Sequence, residues 1–197
     1  MYPCDKEVPV QLQTDEFKIV PLIPAHSQLD YEAVMASLPY YQKFNPSDWS
    51  SSDFKPEDNL EELKHHEEDH HQRVAFTLSI QDLEGTTAFG CIYINTMAGL
   101  LKWLKRPEEE IAQSSDYDCQ VYAWTRPSCA QQDLDRKILA ALSGWLESTW
   151  SFSKVFYQTY EADHRQVGCY QEIGLQQVGV HPLPSGRGNA VIFTRAP

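Results

Sequence analysis

The chain has 197 residues, of which 42% are hydrophobic and 12% are aromatic. This length and composition are typical of one globular domain with a buried core, and they exclude a disordered chain. The 16 basic and 28 acidic residues give a net charge of -12, which disfavours binding to nucleic acid and to anionic lipid. We therefore expect neither a nucleic-acid partner nor a membrane partner.

The cysteines and the N-terminus indicate the compartment. The five cysteines are widely spaced and form no Cys-x-x-Cys pair, so the sequence predicts neither a disulfide framework nor a zinc ribbon. The first ten residues lack the basic start and the apolar run of an export signal. We expect a cytoplasmic protein with reduced thiols.

The N-terminal part of the chain predicts a strand followed by a helix. Residues 1–15 are polar and contain two prolines, which is typical of a loose N-terminal segment. Residues 17–22 form the first predicted strand, and apolar residues at helical spacing predict a helix over 29–38 with Ser27 as its cap. The aromatic-rich residues 39–56 are expected to form a loop, which can line a substrate pocket.

The next segment predicts a second helix and a β-hairpin. The helix covers residues 58–73, with Asp58 as its cap, and the strands cover residues 74–80 and 88–94. Residues 95–116 are expected to be an insertion on the surface, folded as a flap or a short helix.

The C-terminal half alternates strands with helices. Apolar residues at helical spacing make residues 133–148 the strongest predicted helix of the chain. This helix joins strands at 120–125 and 155–160, so the three elements form a right-handed parallel crossover. Asp163 can then cap a short helix, which Gly174 ends in the left-handed conformation. Two further strands close the sheet as a hairpin, at residues 176–180 and 190–194.

The end of that short helix carries a family resemblance. Residues 169–175 are Cys-Tyr-Gln-Glu-Ile-Gly-Leu, and Asp163 stands seven residues before Tyr170. This layout resembles the GNAT superfamily of acyl-CoA-dependent N-acyltransferases, in which a strand is followed by Asn and then by a Leu-Tyr-x-x-x-Gly-Phe ending. The Tyr and Gly match, whereas Asp, Cys and Leu replace Asn, Leu and Phe.

The resemblance covers most of the chain and implies the fold. We expect a mixed α/β sheet of GNAT type in one domain over residues 1–197, with the order β-α-α-β-β-β-α-β-α-β-β. A V-shaped splay is expected between the fourth and fifth predicted strands, where the family binds the pantetheine arm of acyl-CoA. A core aromatic residue without a catalytic role remains the alternative for Tyr170.

The loop before the long helix departs from the family pattern. The family has Val-x-Pro-x-x-Arg-Gly-x-Gly-Ile-Gly, whereas residues 125–135 are Thr-Arg-Pro-Ser-Cys-Ala-Gln-Gln-Asp-Leu-Asp. At the start of the helix, Asp133 suits the role of a cap and Asp135 that of a first-turn acid. Their negative charges offset the positive potential of the helix N-terminus, which a pyrophosphate needs. A degenerate or differently liganded site is therefore an alternative to a working one. The acetyl-CoA site that the resemblance implies consists of Ala123, Trp124, Thr125, Gln131, Gln132, Asp133, Leu134, Asp135 and Asp163.

The resemblance also implies the chemical roles. Backbone N–H groups near Ala123 and Trp124 would polarise the thioester carbonyl, and Tyr170 would protonate the leaving thiolate. Glu161 or His164 would take a proton from the amine. The expected reaction transfers an acetyl group from acetyl-CoA to a small-molecule or peptide amine. The alternative is a catalytically degenerate GNAT-fold protein that binds a ligand or partner, and the sequence leaves monomer and homodimer open.

A histidine-rich run offers a different enzyme class. Residues 66–70 are His-Glu-Glu-Asp-His, which fits the His-Glu-x-x-His pattern of zinc hydrolases. The predicted helix around it has apolar residues only at Leu60 and Leu63, so we expect a solvated helix face. We predict no metal cofactor and only adventitious metal binding by the histidines.

Overall fold

The computed structural model describes residues 2, 4–44, 53–112, 118–186 and 188–196. Eight strands in these residues form one mixed sheet: β1 (Leu12–Gln13), β2 (Lys18–Pro21), β3 (Phe76–Gln81), β4 (Ala88–Thr96), β5 (Asp118–Thr125), β6 (Lys154–Tyr160), β7 (Leu175–Pro182) and β8 (Asn189–Arg195). Their order in the sheet is β1-β2-β3-β4-β5-β6-β8-β7. The β5–β6 pair is parallel, and the other pairs are antiparallel.

The described residues also contain helices on both faces of this sheet: α1 (Ser27–Tyr41), α2 (Pro56–His71), α3 (Met97–Trp103), α4 (Glu108–Ala112), α5 (Leu134–Ser148) and α6 (His164–Glu172). Short 3-10 helices precede α1, at Pro24–His26, and α5, at Pro127–Gln132. The predicted mixed α/β fold is confirmed. The structure adds β1 to the predicted order and places α3 and α4 in the predicted insertion.

The two faces of the sheet bury different side chains, because successive residues of a strand point to opposite faces. Val121 and Ala123 lie in the core formed with α5 and α6, where Ile138 and Leu142 are fully buried. Burial of each such aliphatic side chain contributes about 1.5–3 kcal/mol. Trp124 instead lies in the cluster that α1 and α2 form on the opposite face.

Three predicted boundaries in the N-terminal half are wrong. Ser27 is the first residue of α1 rather than its cap, and α1 continues through Pro39 to Tyr41, in a part of the chain that was predicted as a loop. The buried ring of Tyr41 provides the tertiary packing that outweighs the proline. Helix α2 begins at Pro56, so Asp58 lies inside its first turn and accepts a hydrogen bond from the Lys55 N–H at 3.0 Å. Residues 45–52 of the predicted loop and residues 113–117 of the predicted insertion lie outside the described residues.

The predicted turn from β6 into α6 is confirmed. The Asp163 carboxylate accepts a hydrogen bond from the Gln166 N–H at 3.1 Å, which caps the start of α6. Gly174 follows α6 with a φ of +86°, the left-handed conformation that glycine adopts without a Cβ clash. Over the described ranges, we find no helix with the length and apolar character needed to span a membrane.

Candidate active site

Strands β5 and β6 separate before they end. Their parallel register runs from Asp118 and Lys154 to Tyr122 and Gln158, and neither strand pairs with the other beyond that point. Strand β5 continues to Thr125 along β4, while β6 continues to Tyr160 along β8. We call this opening the splay, formed by residues 123–125 of β5 and 159–160 of β6. It is the opening that the family resemblance implied.

The side chain of Gln166 bridges the two sides of the splay. Its Nε2 donates to the Ala123 carbonyl at 2.7 Å, and its Oε1 accepts from the Thr159 hydroxyl at 2.7 Å. A buried carbonyl without a hydrogen bond costs free energy, so Gln166 supplies the partner that a neighbouring strand would otherwise provide. Gln166 was not predicted as a site residue. Gln166 lies three residues after the cap Asp163, which is the spacing of a capping box, in which its side chain would bond the Asp163 N–H. The side chain instead bonds Ala123 and Thr159 of the sheet.

Tyr41 covers the end of β5. Its hydroxyl accepts from the Thr125 N–H at 3.1 Å and donates to the Thr125 carbonyl at 2.9 Å. A cavity of only about 60 Å³ remains between Tyr41, Gln166 and the splay. Cavities that hold small ligands are typically about 300–1,000 Å³, so a pantetheine arm does not fit beside these side chains in their present positions.

Tyr170 lies at the base of the splay and is 0% exposed. Its hydroxyl donates to the Gln158 carbonyl at 3.4 Å and accepts from Gln166 Nε2 at 3.3 Å. Burial raises the pKa of Tyr170 well above its usual value, so the phenol stays protonated. The rings of Tyr157 and Phe193 contact Tyr170, and the residue therefore fills the core while its hydroxyl reaches the strand edge.

The two predicted bases lie outside the splay. Glu161 is exposed and accepts a hydrogen bond from the Asn189 side chain at 2.6 Å. His164 is exposed in the first turn of α6. Neither residue lines the small cavity or the larger one described below.

The start of α5 is held by ion pairs rather than by a carboxylate cap. Asp133 has a φ of +56°, which is a left-handed conformation that favours glycine. The GNAT sequence pattern has a glycine at this position. Its carboxylate makes no capping hydrogen bond, so the predicted capping role of Asp133 is wrong. It pairs instead with Arg136 and Arg165, which hold the pKa of this carboxyl below its usual range.

Asp135 completes this ion-pair cluster. It is 7% exposed, and its carboxylate accepts two hydrogen bonds from the Arg165 guanidinium at 2.8 Å. The paired arginines therefore neutralise the aspartates that replace the family glycines. Gln131 and Gln132 are exposed in the preceding 3-10 helix, and Leu134 is buried.

Cys129 lies in the same 3-10 helix and is buried. Burial raises the pKa of its thiol to about 11, so the thiolate that a nucleophile requires is disfavoured at neutral pH. Cys129 is therefore poorly suited to act as a nucleophile.

Gly90 fixes the position of β5 beside the splay. A Cβ atom at this residue would lie 2.0 Å from the carbonyl oxygen of Trp124. Strand β4 therefore approaches β5 more closely than any side chain allows, which makes glycine necessary here.

A much larger cavity, of about 840 Å³, opens between the sheet and helices α1 and α2. We call it the acidic cavity, because its lining includes the carboxylates of Asp30, Glu62 and Asp69. Tyr122 and Trp124 of β5 also line it, so the acidic cavity reaches the strand that borders the splay. Its other aromatic lining residues are Phe54, Tyr93 and Tyr160.

Helix α2 is less solvated than the sequence predicted. His66 is half-buried and lies 3.1 Å from the Thr77 hydroxyl, and His70 packs on the ring of Phe76. Burial lowers the pKa of both histidines, so the neutral form is favoured. These contacts lie on the side of α2 that packs on the sheet, whereas the sequence predicted a solvated helix face. Within the described residues, no group of three or more His, Cys, Asp or Glu side chains is arranged to hold a metal ion.

Comparisons with known proteins identify the fold. No protein-family model matches the chain, and no curated protein matches it. Solved structures do match. A ribosomal-protein-S5-alanine acetyltransferase from Vibrio fischeri is 10% identical with a TM-score of 0.74, over 95% of this chain and 96% of that one. The microcin C7 self-immunity acetyltransferase MccE, solved with acetyl-CoA and AMP, is 10% identical with a TM-score of 0.71, over 93% and 94%.

A third match carries the family name. An acetyltransferase of the GNAT family from Bacillus anthracis is 8% identical with a TM-score of 0.67, over 94% of this chain and 97% of that one. At these identities the likeness concerns the fold alone. This protein has the fold of the GNAT superfamily.

Proposed function

We propose that this protein is an acyl-CoA-dependent N-acyltransferase that transfers an acetyl group from acetyl-CoA to an amine. One observation carries the proposal: β5 leaves β6 after Tyr122, and the same strand end borders both the splay and the acidic cavity. A two-substrate transfer needs two binding sites that meet at the reacting atoms. The acetyl-CoA bound in MccE, which shares the fold, adds support.

The chain offers groups for each step of the reaction. The amine nitrogen attacks the thioester carbonyl carbon, the carbon–sulfur bond breaks, and the thiolate takes a proton. Backbone N–H groups near Ala123 and Trp124 polarise the carbonyl, and Tyr170 supplies the proton. The position of the Tyr170 hydroxyl at the base of the splay, where it donates to the Gln158 carbonyl, supports that role. Glu161 or His164 accepts the amine proton through water, since both are exposed.

The phosphates of the acyl-CoA require positive charge near the start of α5. Arg126 borders the small cavity, and its Nε has no hydrogen-bond partner among the described residues. Arg136 and Arg165 are close by but already pair with Asp133 and Asp135. We propose that the pyrophosphate binds more weakly here than at a glycine loop, and that Arg126 is the cation that contacts it.

A specific observation favours the second candidate, a GNAT-fold protein that binds a ligand without acyl transfer. Gln166 and Tyr41 already bond the edge of β5 on which the pantetheine would lie. Acetyl-CoA binding therefore requires both side chains to rotate away. In the non-catalytic alternative they stay, and the acidic cavity alone binds a ligand.

The substitution Tyr41→Phe separates the two candidates. It removes the hydroxyl that bonds the N–H and the carbonyl of Thr125, and each buried group left unpaired costs about 1–3 kcal/mol. A pantetheine arm would restore these bonds, so acetyl-CoA should bind the variant about tenfold or more tightly than the parent in titration calorimetry. Tyr31→Phe is the matched control, because that hydroxyl bonds the Phe54 carbonyl away from the splay. Absence of acetyl-CoA binding to both the parent protein and Tyr41→Phe would refute the acyltransferase proposal.

We propose a small-molecule or peptide amine as the acceptor. We also propose a cytoplasmic location, because the spacing of the cysteines favours reduced thiols. The single-domain organisation over residues 1–197 also remains our proposal.

A further inference from the structure

We infer that the acidic cavity binds a cationic amine, with Asp30 and Glu62 as its counter-charges. The identification of this amine as the acceptor rests on the proposed acyltransferase function. The binding itself does not, because it requires only the cavity and its charges.

The cavity wall carries an excess of negative charge. Its described lining residues include Asp30, Glu62 and Asp69 but no Lys or Arg. His65 and His66 also line the cavity. Burial favours the neutral form of His66, and the three carboxylates outnumber the one remaining histidine. A cavity lined in this way attracts cations and repels phosphates and carboxylates.

Asp30 is the most informative of these carboxylates. It is 4% exposed, and Asn59 on α2 is its hydrogen-bonding neighbour. Isolated buried carboxylates are unfavourable, because water no longer solvates the charge and no cation replaces it. Glu62 lies close enough to increase that cost. A bound ammonium group would supply the missing positive charge to both residues.

The remaining wall of the cavity also suits an alkyl ammonium ion. The rings of Tyr93 and Tyr122 are stacked with centroids 6.1 Å apart, and the Tyr160 ring meets Tyr122 edge-on at 5.8 Å. Aromatic faces attract cations and also pack against methylene groups. The Tyr122 hydroxyl is buried and has no hydrogen-bond partner among the described residues, which leaves it available to a ligand.

An amide ladder leads across the cavity floor to the splay. The Asn95 side chain donates to Gln120 at 3.1 Å, and Gln120 donates to Gln158 at 3.2 Å. All three residues line the acidic cavity, and Gln158 is the last residue of β6 that pairs with β5. An extended amine that binds Asp30 can therefore lie over this floor with its far end toward the splay.

Titration calorimetry with diaminohexane, in the absence of acetyl-CoA, tests the inference. Hexanediol and adipate are the matched neutral and anionic compounds. We expect the diamine to bind and the other two compounds not to bind. Asp30→Asn and Glu62→Gln should each weaken diamine binding about 10- to 100-fold, since each removes a charged hydrogen-bonding partner. Glu67→Gln, on the same helix but outside the cavity lining, should leave the affinity unchanged.

The outcomes distinguish this inference from the proposed function. Absence of diamine binding, equal binding of adipate, or unchanged affinity in Glu62→Gln would overturn the cation site. Glu62 is exposed at the cavity wall, so this second variant tests the site without a change in the buried core. Diamine binding that depends on both carboxylates, with no acetyl-CoA binding to any variant, would retain the cation site and reject the acyltransferase.

Discussion

Replacement of the buried Asp30 by Asn should stabilise the protein at neutral pH. Burial raises the pKa of Asp30 from 3.8 to about 6, and the nearby Glu62 carboxylate adds to the shift. One pKa unit corresponds to about 1.4 kcal/mol, so ionisation of Asp30 costs the native state about 3 kcal/mol. Asn has the same shape without the charge, and it can keep a hydrogen bond with Asn59.

The pH dependence of this effect has a definite sign. Because the folded-state pKa lies above the unfolded value, the contribution of the carboxyl to stability is full below pH 3.8 and is lost as the pH rises through about 6. The stability gain of Asp30→Asn should therefore be small near pH 4, should grow up to about pH 6 and should stay constant above about pH 7.

Urea denaturation at several pH values measures this gain directly. At about pH 7.5, a gain of about 3 kcal/mol corresponds to a rise in melting temperature of roughly 6–12 °C for a domain of this size. Glu67→Gln on α2 serves as the control and should show neither the gain nor its pH dependence. A variant that is less stable than the parent at neutral pH, or a gain independent of pH, would refute the reasoning about Asp30.

Three further predictions concern the splay and its surroundings. Tyr170→Phe should keep the fold and the acetyl-CoA affinity while lowering turnover about 10²- to 10⁴-fold, as steady-state kinetics can measure; unchanged turnover would remove Tyr170 from the mechanism. Asp133→Gly should tighten acetyl-CoA binding in calorimetry, because it removes the carboxylate that pairs with Arg136 and Arg165 and so leaves more positive charge for the pyrophosphate; equal or weaker binding would contradict this. Gly90→Ala should destabilise the protein by several kcal/mol in urea denaturation, because its Cβ would meet the Trp124 carbonyl at 2.0 Å; a change within about 0.5 kcal/mol would disprove the close approach.

The C-terminal half could be predicted from the sequence because its signals are local. The apolar stripe of α5, the cap at Asp163 and the stop at Gly174 each depend on residues within a few positions of one another. The splay followed from the family resemblance and not from the residues themselves. Its position agrees with the register of β5 and β6.

The long-range contacts of the candidate site could not be predicted. Tyr41 bonds Thr125 across 84 residues, and Gln166 bonds Ala123 across 43 residues. No local pattern encodes such pairs, since they depend on how α1 and α6 pack on the sheet. The burial of Asp30 was missed for the same reason, because an acidic residue near a helix start is typical of a solvated first turn.

The histidine run shows how composition misleads about exposure. The polar sequence of α2 predicted a solvated face, yet His66 and His70 pack on β3 through Thr77 and Phe76. Histidine combines an apolar ring with polar nitrogens, so it can occupy a half-buried position that a hydropathy pattern assigns to solvent.

The central claim is that acyl-CoA binds in the splay in place of the Gln166 and Tyr41 side chains. Amide NMR of the protein titrated with acetyl-CoA tests it most directly. We predict saturable shifts of the backbone amides of Ala123, Trp124 and Thr125, together with the side-chain amide of Gln166, which loses its bond to the Ala123 carbonyl. Signals of these four residues that stay unchanged at saturating acetyl-CoA would contradict the claim.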